Sequence, residues 1–260
     1  MEQRDPRDHS TSDAPATSIE KALDVLFHLH TAAAPTGVTA IGRALGIPKS
    51  STHRLLAALT GRGLVERDDR GRYVPGMALV ALGVGLLDRE PLIAAARPLL
   101  EAEAAELEET VFLMAARAGR IRVLDKVEGT GFLRAAPRIG EEIPVHATAV
   151  GRLYLSLDRA QLEFDDSDLE QFTEQTPASR AALERRIAVA GERGWDVNDE
   201  EWIAGLKVIA VPIVVSEKLV GALAIAAPAG AVTVADPARS AERLRDAAVR
   251  IAARMQGELQ

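Results

Sequence analysis

The stretch from Val38 to Leu59 most constrains what this chain can become. Two short apolar-periodic runs are separated there only by Gly46, Ile47 and Pro48. Glycine ends a helix well because it accepts a left-handed backbone without steric cost, and proline suits the first turn of the next helix. The first run, opening at Val38 or Thr39, buries Ile41, Ala44 and Leu45. The second, with Pro48 at its first position, buries Leu55, Leu56 and Leu59. An earlier helix opens at Ser18 as its cap and places Ile19, Ala22, Leu23, Leu26 and Phe27 on one buried face. After the pair come two β-prone runs, Leu64–Arg67 and Arg72–Val74, around the turn Asp68-Asp69-Arg70-Gly71, which reads as a hairpin. Helix, helix–turn–helix and hairpin in that order predict a winged helix–turn–helix.

The side chains on this frame point to DNA. The last helix begins Lys49-Ser50-Ser51-Thr52-His53-Arg54, six hydrogen-bonding residues in succession. The first turns of a recognition helix meet base edges in the major groove, so this is where such residues are needed. The hairpin adds Arg67, Arg70, Arg72 and Tyr73, within reach of phosphates or a minor groove. Thr39 and Arg43 on the preceding helix complete the candidate set.

The net charge of −7 seems to oppose this. It is unevenly distributed. Residues 16–78 carry eight basic against five acidic side chains, whereas residues 79–260 carry 21 against 29. The reading head is positive and the acidity belongs to the rest. Disulfides, thiol nucleophiles and thiolate metal sites are excluded, because the chain has no cysteine. No apolar run reaches the roughly 20 residues that span a bilayer, and the polar start lacks a signal-peptide core. A soluble cytoplasmic protein without membrane partner is expected, with residues 1–15 as a disordered tail.

The remaining chain reads as a second domain. Met77–Leu87 and Pro91–Leu107 are helical. Val111–Arg117 and Ile121–Val127 are strands around Ala118-Gly119-Arg120. Helices follow at His146–Leu157 and Ser179–Glu192, then strands at Trp195–Asn198, Lys207–Val215 and Lys218–Ala227, and a helix over Asp236–Gln256. Helices on a mostly antiparallel sheet make an α+β ligand-binding domain. The expected organisation is a winged helix–turn–helix over 16–78, a linker helix region over 79–100 and an effector-binding domain over 101–260. The acidic stretch Glu163–Glu174 reads as solvated surface, and Trp195 and Trp202 as core.

Several blocks resemble the IclR family of bacterial transcription regulators. Ser18–Leu26 is similar to the family's opening helix. Leu45–Leu56 is similar to its turn and recognition helix. Gly63-Leu64-Val65-Glu66 with Gly71-Arg72-Tyr73 is similar to its wing. In the second half, Pro144-Val145-His146-Ala147-Thr148-Ala149-Val150-Gly151-Arg152 resembles its effector-domain helix, and Arg193–Glu201 with Gly205–Pro212 its later block. The resemblance implies a winged helix–turn–helix joined by a linker helix to a GAF-like α+β effector domain. It further implies a homodimer or dimer of dimers, a double-stranded palindromic operator and a small-metabolite effector, often an organic acid.

The same resemblance places an effector pocket at Leu133, His146, Thr148, Ala149, Asn198, Asp199, Val208, Ala224 and Ala226. Many relatives carry an Asp, a Cys and two Ser there. Here Asn198 or its neighbour Asp199 takes the Asp position, Val208 the Cys position, and Ala224 and Ala226 the Ser positions. A small, highly polar acid needs several donors once desolvated. The substitutions therefore predict a larger, more apolar or aromatic effector with one polar anchor; a collapsed core without inducer is the bland alternative. His146 is open between a structural and a ligand-binding role. Asp24 and His28 share a helix face but lack a third ligand, so no metal or cofactor is expected. No phosphate loop or nucleophile elbow argues for an enzyme. The competing reading, a metabolite-binding module or enzyme of GAF-like fold without operator binding, predicts that Lys49→Ala and Arg54→Ala change nothing.

Overall fold

A computed structural model describes residues 17–87, 89–130, 137–165 and 169–257. The expected tail over residues 1–15 and the candidate Leu133 lie outside them. Contacts divide the chain into two compact units, one running to Leu86 and one from Leu87.

The first unit contains α1 (Ser18–Thr31), α2 (Val38–Ala44), α3 (Lys49–Thr60), β1 (Val65–Arg67) and β2 (Tyr73–Pro75), and α4 (Met77–Leu87) begins in it. Thr17, not Ser18, caps α1. Its hydroxyl accepts from the Glu20 N–H at 3.2 Å while the Glu20 carboxylate accepts from the Thr17 N–H at 2.6 Å, a reciprocal box that satisfies two otherwise orphaned donors. Val25 and Leu29 supply the buried face of α1. The expectation for Ile19, Leu23 and Phe27 is corrected, since they form an exposed stripe with Ile19 74% and Phe27 67% accessible.

Between α2 and α3, Gly46 adopts φ +64° as the break requires. Pro48 is the cap of α3 rather than its first helical residue. Gly42 lets the two helices close, because a Cβ there would sit 2.8 Å from the Ile47 carbonyl. β1 and β2 pair antiparallel, and Thr36 adds a short bridge to Tyr73. Val25, Leu29, Ile41, Ile47, Leu56, Leu59, Val65 and Tyr73 make the core.

The second unit is built on a five-stranded sheet in the order β4-β3-β7-β6-β5, antiparallel throughout. Its strands are β3 (Thr110–Arg117), β4 (Arg120–Val127), β5 (Asp196–Asp199), β6 (Leu206–Val215) and β7 (Lys218–Pro228). α5 (Pro91–Leu107) and α8 (Pro237–Met255) share one core with Leu113, Val211, Leu223 and Ile225. The alternate residues Phe112, Met114, Ala210, Ala222, Ala224 and Ala226 pack with Leu153 and Tyr154 of α6 (Ala149–Leu157). The period of two along each strand separates these faces. α7 (Arg180–Arg193) packs on α6 through Leu183 and Ile187 against Leu155.

α6 starts three residues later than the sequence predicts. The Thr148 hydroxyl accepts from the Gly151 N–H at 3.2 Å and donates to the Pro144 carbonyl at 2.7 Å, fixing the cap. The chain before it then crosses tightly over the helix, because a Cβ on Gly151 would lie 1.9 Å from the Val145 carbonyl. His146 therefore precedes α6 instead of heading it. No described helix is long and apolar enough to cross a membrane.

Candidate functional site

The first candidate surface is the start of α3 with its flanks. Lys49, Ser50, His53 and Arg54 are exposed, Ser51 is half-buried, and Thr39 and Arg43 on α2 are exposed. The apolar side of α3, Leu56 and Leu59, is buried. One face thus anchors the helix and the other presents donors and acceptors.

Two expected contacts are corrected. Thr52 is fully buried, and its hydroxyl donates to the Ile47 and Pro48 carbonyls at 3.3 and 3.1 Å. It closes the turn and cannot reach a base. Tyr73 is 6% exposed within the core, with the Arg67 guanidinium 5.2 Å above its ring. At the wing tip the Asp68 carboxylate accepts from the Arg70 and Arg72 N–H groups at 3.0 and 2.8 Å and pairs with the Arg72 side chain at 2.8 Å. The Arg72 N–H bond is the largest cause holding this carboxyl below its ordinary range. Arg72 therefore shapes the wing, while Arg70 is exposed at its tip.

The second candidate is a cavity between the α6 side of the sheet and the start of α6. The unfilled space there amounts to about 360 Å³ counting the open solvent at its mouth, and the enclosed part is far smaller. Phe112 and Met114 of β3 and Val208 and Ala226 of β6 and β7 form its floor. Thr148, Ala149 and Val150 form one wall, and Asn198 and Trp202 another. Among the sequence candidates, Thr148, Ala149, Asn198, Val208 and Ala226 meet here. Ala224 lies on the same sheet face but is covered in the core. Asp199 points away and pairs with Lys207 at 3.1 Å, so strand alternation assigns the inward position to Asn198.

His146 is not a wall residue. It is buried, its Nε2 contacts the Glu170 carbonyl at 2.7 Å, and its ring stacks with Phe164 and Phe172. Among the described residues of the 163–174 stretch, Phe164 and Leu169 pack against the apolar cluster of Leu155, Leu183 and Ile187 rather than lying wholly in solvent. Trp202 packs against the core as expected and in addition lines the cavity. Phe112 and Met114 were missed, although they alternate in phase with the small residues of β7.

The polar groups of the cavity are already engaged. Asn198 donates to the Ala147 carbonyl at 2.7 Å and accepts from the Glu201 N–H at 2.9 Å. Thr148 is occupied by its capping bonds. What remains near the lining is the start of α6, where the first amides of a helix lack intrahelical partners and favour anions.

Behind the wall lies a charge cluster that sequence reasoning missed. Arg152 is fully buried. It meets Asp196 at 2.6 Å, Glu201 at 2.6 Å and the Val197 carbonyl at 2.7 Å. Arg186 of α7 reaches the other Glu201 oxygen at 2.8 Å. These Glu201 contacts are close ion pairs, not aligned hydrogen bonds. Burial pushes the Asp196 and Glu201 carboxyls up, against the pull of Arg152. A lone Arg among the apolar residues of α6 was the available signal. Among the described residues no group of His, Cys, Asp and Glu could hold a metal.

Comparison with known proteins agrees with this two-part layout. Residues 18–69 match the family model for the IclR helix-turn-helix domain, and residues 84–253 that for the bacterial transcriptional regulator IclR C-terminal domain. The HTH-type transcriptional regulator XynR of Escherichia coli is 30% identical over 235 residues, covering 88% of this chain and 93% of XynR. The transcriptional repressor IclR of the same organism is 27% identical over 217 residues, covering 80% and 79%. The crystal structure of the Thermotoga maritima IclR has a TM-score of 0.77 at 24% identity, covering 92% of this chain and 98% of that one. An IclR homologue from Microbacterium hydrocarbonoxydans complexed with 4-hydroxybenzoate gives 0.73 at 23%, covering 93% and 100%. With a DNA-reading helix–turn–helix in one unit and an effector-binding domain in the other, the chain belongs to the IclR family of bacterial transcription regulators.

Proposed function

We propose that this regulator responds to an apolar, preferably aromatic, monocarboxylate held in the second-unit cavity. One observation carries the reading: the cavity is lined by Phe112, Met114, Trp202, Val208 and Ala226, and its two polar side chains are already bonded within the protein. A two- or three-carbon oxo acid would bring a second polar group, its oxo oxygen, into apolar walls and too little apolar surface to fill them. A ring fills such walls, and the amides opening α6, at Ala149 and Val150, receive the single carboxylate. The structural relative complexed with 4-hydroxybenzoate is in keeping with that size and charge. A thermal-shift series tests it: benzoate raises the melting temperature and pyruvate at equal concentration does not. Stabilisation by pyruvate alone contradicts it.

At the DNA, Lys49, Ser50, Ser51, His53 and Arg54 read base edges, while Thr39, Arg43 and Arg70 contact phosphates. The protein acts as a homodimer in the cytoplasm, by binding rather than catalysis. Support for the dimer comes from exposed apolar surface that water disfavours: Ile19, Leu23 and Phe27 on α1, and Met77, Val80, Leu82, Val84 and Leu86 on α4. Two paired heads also match the two half-sites of a palindromic operator.

A further inference from the structure

The buried charge cluster sits behind the cavity but touches three of the elements that form it. Arg152 leaves α6 one turn below the wall residues Thr148 and Ala149. Its guanidinium reaches Asp196 and the Val197 carbonyl on β5, and Glu201 in the turn beyond. The inward-facing Asn198 lies between those two carboxylates in sequence. It is itself tied on one side to the Ala147 carbonyl and on the other to the Glu201 N–H. Trp202 follows Glu201 directly. From outside, the Thr173 hydroxyl donates to the Glu200 carbonyl at 2.7 Å and the Thr176 hydroxyl to the Glu201 carbonyl at 2.5 Å.

We propose that Arg152, Asp196 and Glu201 are the positioning centre of the effector cavity, fixing the α6 start, Asn198 and Trp202 as one wall whose spacing sets the size of ligand admitted. A guanidinium suits this task because its planar fork donates to the Asp196 carboxylate and the Val197 carbonyl at once while its charge holds Glu201 alongside, which a compact ammonium does not do. A burial cost accompanies any such cluster, and hydrophobic residues of similar volume often hold a core as well. Geometry, rather than stability, is what the ions supply here. None of the three touches the ligand; they act through Asn198, Trp202 and the α6 amides. The identity of the ligand rests on the effector reading above, whereas the coupling of the wall does not.

Glu201→Gln in the full-length protein tests this, with Thr176→Val as a milder variant should the first not fold. Hydrogen exchange of the ligand-free protein is the readout independent of any effector. Residues 147–150 and 198–202 are expected to lose protection together, by about tenfold or more, while α8 and β7 keep theirs. Benzoate affinity is expected to fall about tenfold in Glu201→Gln. Loosening confined to 198–202, or spread evenly over the unit, overturns the proposal, as does unchanged benzoate affinity in a variant that merely melts lower. If the wild-type protein itself binds no benzoate, the effector reading fails and the exchange pattern alone decides the role of the cluster.

Discussion

Thr52 and Tyr154 are polar residues withdrawn from water, and each bond they make there can be tested. The Thr52 hydroxyl joins two turn carbonyls, so Thr52→Val should destabilise the first unit by about 1–3 kcal/mol in denaturant titration. Lys49→Ala and Arg54→Ala should instead leave stability nearly unchanged. If they meet bases, each should weaken operator binding by about 1–3 kcal/mol in an anisotropy titration. A polar run alone could not separate the two roles, since six consecutive hydrogen-bonding residues look alike until the helix assigns one to the inside. Tyr154 accepts a hydrogen bond from the Ala116 N–H at 3.1 Å, and burial, the largest cause, pushes its phenol up to about 12. The unfolded chain ionises at about 10, so the stability from the buried neutral phenol is complete below that pH and disappears as pH rises through about 12. Of the two tyrosines, the one ionising near 12 in an ultraviolet titration should vanish in Tyr154→Phe.

At the level of elements, periodicity recovered the helices and strands because burial repeats every 3.6 or two residues. It lost the start of α6, where a non-periodic crossing of Val145 over Gly151 decides the boundary. Gly151→Ala should therefore displace the α6 start and abolish ligand-induced stabilisation, even where the far-ultraviolet spectrum stays native. An unaltered thermal response would show that the crossing yields cheaply. The Arg152 cluster was illegible for a different reason. Its carboxylate partners are 44 or more residues away in sequence, brought alongside only when β5 joins the sheet. The pocket assignment was half legible: Asn198 against Asp199 is a question of strand phase, and pairing with β6 answers it. The α1 stripe was misassigned inward because an apolar face can serve a partner as well as a core.

For the molecule as a whole, the sign of its charge said little about what it binds. The acidic excess lies mainly beyond residue 78, with a smaller share in residues 1–15, and the segment 16–78 carries eight basic against five acidic residues. So slight an excess favours binding through two heads and specific contacts, with affinity falling as salt rises. Phe27→Glu combined with Leu82→Glu should yield monomers in sedimentation and reduce operator affinity about tenfold or more. A dimer that persists would assign those exposed faces another role. The central claim is that an apolar monocarboxylate in the cavity changes operator affinity, which requires that it bind the DNA-competent and incompetent arrangements unequally. The most direct measurement is fluorescence anisotropy of the full-length protein on the DNA adjoining its own gene, titrated with and without benzoate or pyruvate. Benzoate is expected to change the operator Kd by about 5- to 150-fold and pyruvate to leave it unchanged. A response to pyruvate alone, or an operator Kd indifferent to benzoate, would contradict the central claim.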